Sequence, residues 1–373
     1  MNMVCAAPVL NYQTEGETLT LSWENDTPAD GFILHYAFPD SQGNIDYGTY
    51  GFVDLGNSYS FSHTLWPGAK LFAAVQPYGP DGKGDFSGIA NITVGGSTTP
   101  DTPGDADKPV TGYTFEKSWE TGNGISVPES VLYDSAGGIL YVSNIEGSPS
   151  DKDGNGFISK LSTDGSVISL KWAEGLDAPK GMGITGGRLY VSDIDTLREI
   201  DIATAKVTSY PISGSVFLND VAVDNAGYVY ISDSGKENTI YRFRDGQVIR
   251  WFDDTTESRQ FNGIYVSGDT LYGASLLDGT LYSISLNDKS STVVANKTGI
   301  EFDGLVPDGL GNFIVSNWYN QVSFISASGD TSEIFMTASD NAADIEYIPS
   351  LSLLVVPTFS SNKVVAYKLT PVR

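Results

Sequence analysis

The sequence predicts an all-β protein in two parts: a β-sandwich over residues 1–94 and a six-bladed β-propeller over 113–373, joined by a linker over 95–112. Three observations predict it. The composition favours Gly, Ser, Thr, Val, Ile and Tyr over the Ala, Leu, Lys and Glu of helical proteins. A strand of the type L-Y-V-S recurs six times after residue 125, at a spacing of roughly 40–50 residues. Between the parts, GGSTTPDTPGDADKPVTG has almost no apolar residue with which to bury itself.

The chain has 373 residues, enough for two domains with cores of their own. Its net charge of -25 opposes binding to nucleic acid and to anionic membranes, and suits a soluble protein that collects cations. Cys5 is the only cysteine, so no internal disulfide is expected. No apolar run reaches the length of about 18 residues that a membrane span needs.

The first part alternates in Leu19-Thr20-Leu21-Ser22-Trp23, as a half-buried strand does. Phe32 to Tyr36 reads as a second strand and Lys70 to Gln76 as another. Pro67-Gly68 and Asp81-Gly82-Lys83-Gly84 read as turns. Trp23, Leu65-x-Pro67-Gly68, Phe72, Gly82-x-Gly84 and Ser87 resemble the immunoglobulin-like fibronectin type III domain over about 10–95. The resemblance implies a spacer or a surface-docking module, and by itself no chemistry.

The repeated strands are Leu140-Tyr141-Val142-Ser143, Leu189-Tyr190-Val191-Ser192, Val229-Tyr230-Ile231-Ser232, Leu271-Tyr272-Gly273-Ala274, Phe313-Ile314-Val315-Ser316 and Leu353-Leu354-Val355-Val356. The last unit, 344–369, has three clear strands. Tyr113 to Trp119 is expected to supply its fourth and close the ring, which would remove two open sheet edges.

Aligned on the inner strand of each unit, the residues just before the apolar alternation are Glu129, Lys180, Asn219, Asn262, Asp303 and Asp344. In a propeller these side chains converge at one mouth of the channel. Carboxylates brought together there repel one another, and a cation relieves that. Glu, Asn and Asp form a hard-oxygen set of the kind calcium takes. Zinc, copper or iron would favour His or Cys, and the only histidines, His35 and His63, lie in the first part. The plainer reading is a water-filled channel lined with polar residues.

Residues 125–369 resemble the senescence marker protein (regucalcin), gluconolactonase and luciferin-regenerating-enzyme family. Glu129 in ESVLY, Asn262-Gly263 and Asp303-Gly304 match the family's metal positions, and Asn219-Asp220 its substrate side. The resemblance implies six blades and one divalent cation, Ca2+ or another such as Mg2+, Mn2+ or Zn2+. It implies Glu129, Asn262 and Asp303 as ligands, with Asp303 and Asn219 catalytic. Phe217 departs from the family, which often carries Arg there to contact a sugar lactone.

Lys180 and Asp344 either pair with each other or contact substrate. The loops after the L-Y-V-S strands offer Asn144, Asp193, Asp195, Asp233, Ser275, Asn317 and Trp318 to the same mouth. Trp318 is a sugar platform or a packing residue. Asp151 to Gly156 copies half of an EF-hand loop, but Ser162 stands at the twelfth position, so a plain turn is expected.

Two functions follow as expectations. One is a calcium-dependent lactone or ester hydrolase. The other is a non-catalytic, calcium-dependent ligand-binding or scaffold protein docked by its first domain. The partner in either case is a small molecule or carbohydrate derivative. The fused domain, single cysteine and acidic surface point to an extracellular, periplasmic or cell-surface location, with no signal sequence in the chain given.

Overall fold

The computed structural model describes residues 7–373, apart from 16–17, 26–27, 40–50, 66–68, 81, 85, 94–109, 236–238, 254–258, 297–300, 320, 327 and 337–339. The described residues contain no α-helix, only strands and two single-turn 3-10 helices. Contacts divide the chain into Met1–Ala106 and Asp107–Arg373.

In the first unit two sheets share one core. Val9–Glu15, Thr18–Glu24 and Ser60–Thr64 form one sheet. Gly51–Asp54, Gly31–Ala37, Lys70–Gly79 and Gly82–Lys83 form the other, with Ala90–Thr93 paired to Lys70–Gly79. Leu19, Leu21 and Trp23 point into the core, so the alternation read from sequence is the burial pattern. Phe32 and Leu34 meet them from the second sheet. Gly82–Lys83 pairs back on Tyr78 and Gly79, as a tight hairpin requires. The expected Pro67-Gly68 turn, Asp81 and most of the linker fall outside the described residues.

The second unit contains six four-stranded antiparallel sheets. Their inner strands begin at Pro128, Pro179, Leu218, Phe261, Phe302 and, after an isolated bridge at Ala342, Glu346. Each inner strand touches the next, and the sixth touches the first. A separate apolar core fills each gap between neighbouring sheets. Leu140 and Val142 face the sixth sheet while Tyr141 faces the second. Val229 and Ile231 face one neighbour and Tyr230 the other. Both faces of these strands are buried, which is why they read as unbroken apolar runs. The outer strand of the sixth sheet is Gly112–Glu120, paired with Lys363–Val372.

The serine of the repeated run joins neighbouring sheets. Ser316 Oγ accepts from Gly304 N at 2.7 Å and donates to Ala343 O, in the next sheet, at 2.7 Å. Ser232 Oγ accepts from Asp220 N at 2.8 Å and donates to Asn262 O at 2.8 Å. Ser192 Oγ donates to Asn219 O. The inner strands are then so close that a side chain cannot intervene. A Cβ on Gly263 would lie 2.4 Å from Asp303 O, and one on Gly304 2.6 Å from Ile345 N. Glycine after the Asn262 and Asp303 positions is therefore a packing requirement, whatever else it serves.

This register corrects the sixth repeat. Pro128 pairs with Asn144 and Phe302 with Asn317, and the matching bridge is Ala342 with Thr358. The counterpart of Glu129 and Asp303 is thus Ala343, not Asp344. The repeated strand there is Leu354-Val355-Val356-Pro357, one residue later than expected. Asp344 is the counterpart of Asp220.

Ser316→Ala should lose about 2–4 kcal/mol of stability, because two buried backbone groups lose their partner. Ser283→Ala, whose hydroxyl meets Thr292 Oγ1 at an exposed site, should lose under about 0.5 kcal/mol. Urea melts of the two variants check this, and equal losses would refute it.

Candidate functional site

Five of the six aligned positions line one cavity of about 210 Å³: Glu129, Lys180, Asn219, Asn262 and Asp303. Each is the second residue of its inner strand and each is buried. Phe217 and Trp318 form part of the wall. Asp344 and Asn317 do not line this cavity. Ser130 Oγ donates to Asp344 Oδ2 at 2.6 Å, in the layer below. Asn317 Oδ1 is taken by Tyr319 N at 2.6 Å.

The wall also contains Ile145, Leu276, Phe359, Glu301 and Pro149. Two registers generate most of it. Ile145, Leu276, Trp318 and Phe359 each follow the last residue of a second strand. Phe217 and Glu301 each stand two residues before a ring residue. The signal was present as a position in the repeat, apolar at all four residues of the first register but aromatic at Phe217 and acidic at Glu301 in the second. Trp318 and Phe359 meet edge to face at 5.0 Å between ring centroids.

Of the other loop residues expected at the mouth, Asn144, Asp193 and Asp233 secure the backbone instead, while the Ser275 hydroxyl is buried without a hydrogen-bond partner. Asp193 accepts from Asp177 N and Ala178 N, and Asp233 from Val216 N and Phe217 N. Asn144 accepts from Ser126 N. Asp195 pairs with Lys152 at 2.5 Å. Asp153 Oδ1 accepts from Asn155 N, in a bend at Asp153 and Gly154 that leads into the strand at Gly156.

Electrostatics dominate the cavity floor. Burial first, and the charge of Asp303 second, push the Glu129 carboxyl well above its ordinary range, while Lys180 pulls it back. Burial and then Asp220 raise Asp303 to about 7, against a hydrogen bond from Asn262 Nδ2 at 2.6 Å. Burial raises Asp220 to about 6, although it accepts from Ile264 N and Val221 N. Burial, Asp220 and Glu129 together raise Asp344. Four carboxylates thus share the axis with one ammonium. Glu129 Oε2 is buried and has no hydrogen-bond partner.

This excess of negative charge, with an orphaned carboxylate oxygen, fits a hard divalent cation. Glu129, Asn262 and Asp303 supply two carboxylates and an amide. Among the described residues, no three His, Cys, Asp or Glu side chains form a metal-holding group.

Below this layer lies a second cavity of about 430 Å³, whose lining includes Leu132, Ile184, Tyr265, Asp344 and Glu346. Glu346 Oε2 accepts from Tyr133 N at 2.8 Å, and burial raises its carboxyl to about 7.

No protein-family model matches the sequence, and no curated protein matches it. Solved structures share its fold. An auxiliary nutrient binding protein from Bacteroides ovatus is 10% identical, with 100% of this chain and 99% of that chain covered at a TM-score of 0.54. A gluconolactonase-like protein is 15% identical, covering 71% of this chain and 95% of its own, at a TM-score of 0.53. A catalytically inactive virginiamycin B lyase from Staphylococcus aureus, solved with quinupristin, is 11% identical, covering 69% of this chain and 100% of its own, at a TM-score of 0.52. These likenesses establish a propeller-like all-β fold, and fold alone assigns no activity.

Glu346 binds its proton more tightly in the folded chain than in the unfolded one. Its contribution to stability is therefore intact below its ordinary value of 4.5 and lost as pH rises through about 7. Glu346→Gln keeps an acceptor for Tyr133 N and carries no charge. It should match the parent at pH 4 and exceed it by about 1–3 kcal/mol at pH 8. Chemical denaturation at the two pH values checks this; a variant no more stable at pH 8 would refute it.

Proposed function

We propose that the second unit is a six-bladed β-propeller whose cavity binds a divalent cation, calcium foremost, and hydrolyses a small lactone or ester. One observation carries the reading. Two buried carboxylates distant in sequence, Glu129 and Asp303, line one cavity with two amides, and an oxygen of Glu129 lacks a partner. The likeness to a gluconolactonase-like protein supports it.

Glu129, Asn262 and Asp303 would hold the ion. When bound, it would polarise the carbonyl as a Lewis acid. Asp303, a buried carboxylate on the cavity floor, takes a proton from the attacking water. Asn219 orients the carbonyl and donates to its developing negative charge. Phe217, Leu276, Trp318 and Phe359 keep bulk water from the floor. At about 210 Å³ the cavity is smaller than the roughly 300–1,000 Å³ of drug-sized pockets, so the substrate is a compact molecule or carbohydrate derivative. The first unit, read as a fibronectin type III-like module, would dock the enzyme to an extracellular, periplasmic or cell-surface partner.

A second reading is calcium-dependent ligand binding without turnover. It is favoured by the likeness to a nutrient binding protein, which spans both units, and by Phe217, which covers Lys180.

A panel of sugar and non-sugar lactones, with calcium or with a chelator, separates the two. The hydrolase reading expects calcium-dependent turnover that falls about 10²–10⁴-fold in Asp303→Asn. It also expects Glu129→Gln to lose calcium binding by calorimetry. Ligand binding with no turnover selects the second reading. Absence of any calcium binding to the parent chain would sink both.

A further inference from the structure

Lys180 is the odd member of the ring. Glu129, Asn219, Asn262 and Asp303 bring oxygen, and Ala343 brings a methyl group. Lys180 brings a positive charge and is the only buried lysine among the described residues, 1% exposed. Burying an ammonium is costly unless it is hydrogen-bonded and paired. This one is fixed on three sides. It donates to Pro149 O at 3.0 Å and Ala178 O at 2.9 Å, and lies 4.4 Å from the centroid of the Phe217 ring. Those hydrogen bonds go to carbonyls, not to a carboxylate. Burial works against the ammonium's charge; Glu129 first, and then Asp193, favour it, so that charge acts on the cavity chiefly through Glu129.

We infer that Lys180 sets the affinity of this cavity for divalent cations, as an anchored positive charge with which an incoming ion must share Glu129. The inference rests on the cation-binding reading above. A free lysine side chain would swing away when an ion entered. One held by two carbonyls and an aromatic face stays. Two like charges inside about 210 Å³ lie within a Debye length and are poorly screened. The ring therefore binds calcium more weakly than its oxygens alone would allow. Phe217 takes part in this device. It covers the ammonium and shields it from water.

The test is calorimetric titration of calcium into the chelator-treated full chain at pH 8, where carboxylate protonation interferes least. Parent, Lys180→Met and Lys180→Arg are compared, with thermal melts to confirm folding. Methionine keeps the length and the contact with Phe217 without the charge. Lys180→Met should bind calcium at least tenfold more tightly, and its melting point should rise more on adding calcium. Lys180→Arg should stay within about threefold of the parent. If Lys180→Met does not fold, Lys180→Gln carries the same expectation. Calcium binding by the folded neutral variant that is equal to or weaker than the parent's overturns the inference while leaving the cation site intact. Failure of the parent and the neutral variant alike to bind calcium overturns the cation reading itself. Binding by the neutral variant alone would leave the parent chain without a calcium site and would overturn the cation reading, and the inference with it.

Discussion

The second unit depends on how closely six inner strands approach around one axis. Serine hydroxyls bridge the backbone of one sheet to the next, as Ser316 does between Gly304 N and Ala343 O. Gly181, Gly263 and Gly304 leave the room that this approach needs. Asp220 fills part of that space and ties its own strand to Ile264 of the next. Asp344 does so beside Gly304 and holds Ser130. The same layer is the floor of the upper cavity. Packing and chemistry are therefore coupled: residues that bring the sheets together also bring carboxylates into one another's field.

That field is the cost of the arrangement. Burial is the largest influence on Glu129, Asp220, Asp303 and Asp344 alike, and mutual repulsion adds to three of them. Backbone N–H groups offset it at Asp220 and the Asn262 amide at Asp303. Glu129 has only the charge of Lys180 to offset it. The cluster thus stays short of positive charge within the fold, which is the observation the cation-binding proposal rests on.

The repeated strands were legible in the sequence because both faces of each are buried, and L-Y-V-S records that directly. Five ring positions were legible because each precedes a fixed pattern of inner-strand alternation. The sixth was not, since Ala343 carries no polar atom and the acidic residue beside it drew the alignment one place along. The serine was visible as a letter, while its role between sheets needed coordinates. The cavity wall was the least legible part. Ile145, Leu276, Trp318 and Phe359 share one position in the repeat and an apolar character, which is also what ordinary packing would call for, and only Trp318 stood out alone. In the first unit, Leu19, Leu21 and Trp23 were legible because one face of their strand is solvated.

The pairing of Gly112–Glu120 with Lys363–Val372 has a mechanical consequence. The two strands are antiparallel, with Gly112 opposite Val372 and Glu120 opposite Val365. The chain thus enters and leaves this sheet at the same end. Tension between residue 110 and residue 373 would load the hydrogen bonds one pair at a time, like a zip. It would not load them together in shear, where they would resist most. A tether attached at both ends would open this sheet first, at low force, and spare the five sheets whose strands are neighbours in sequence.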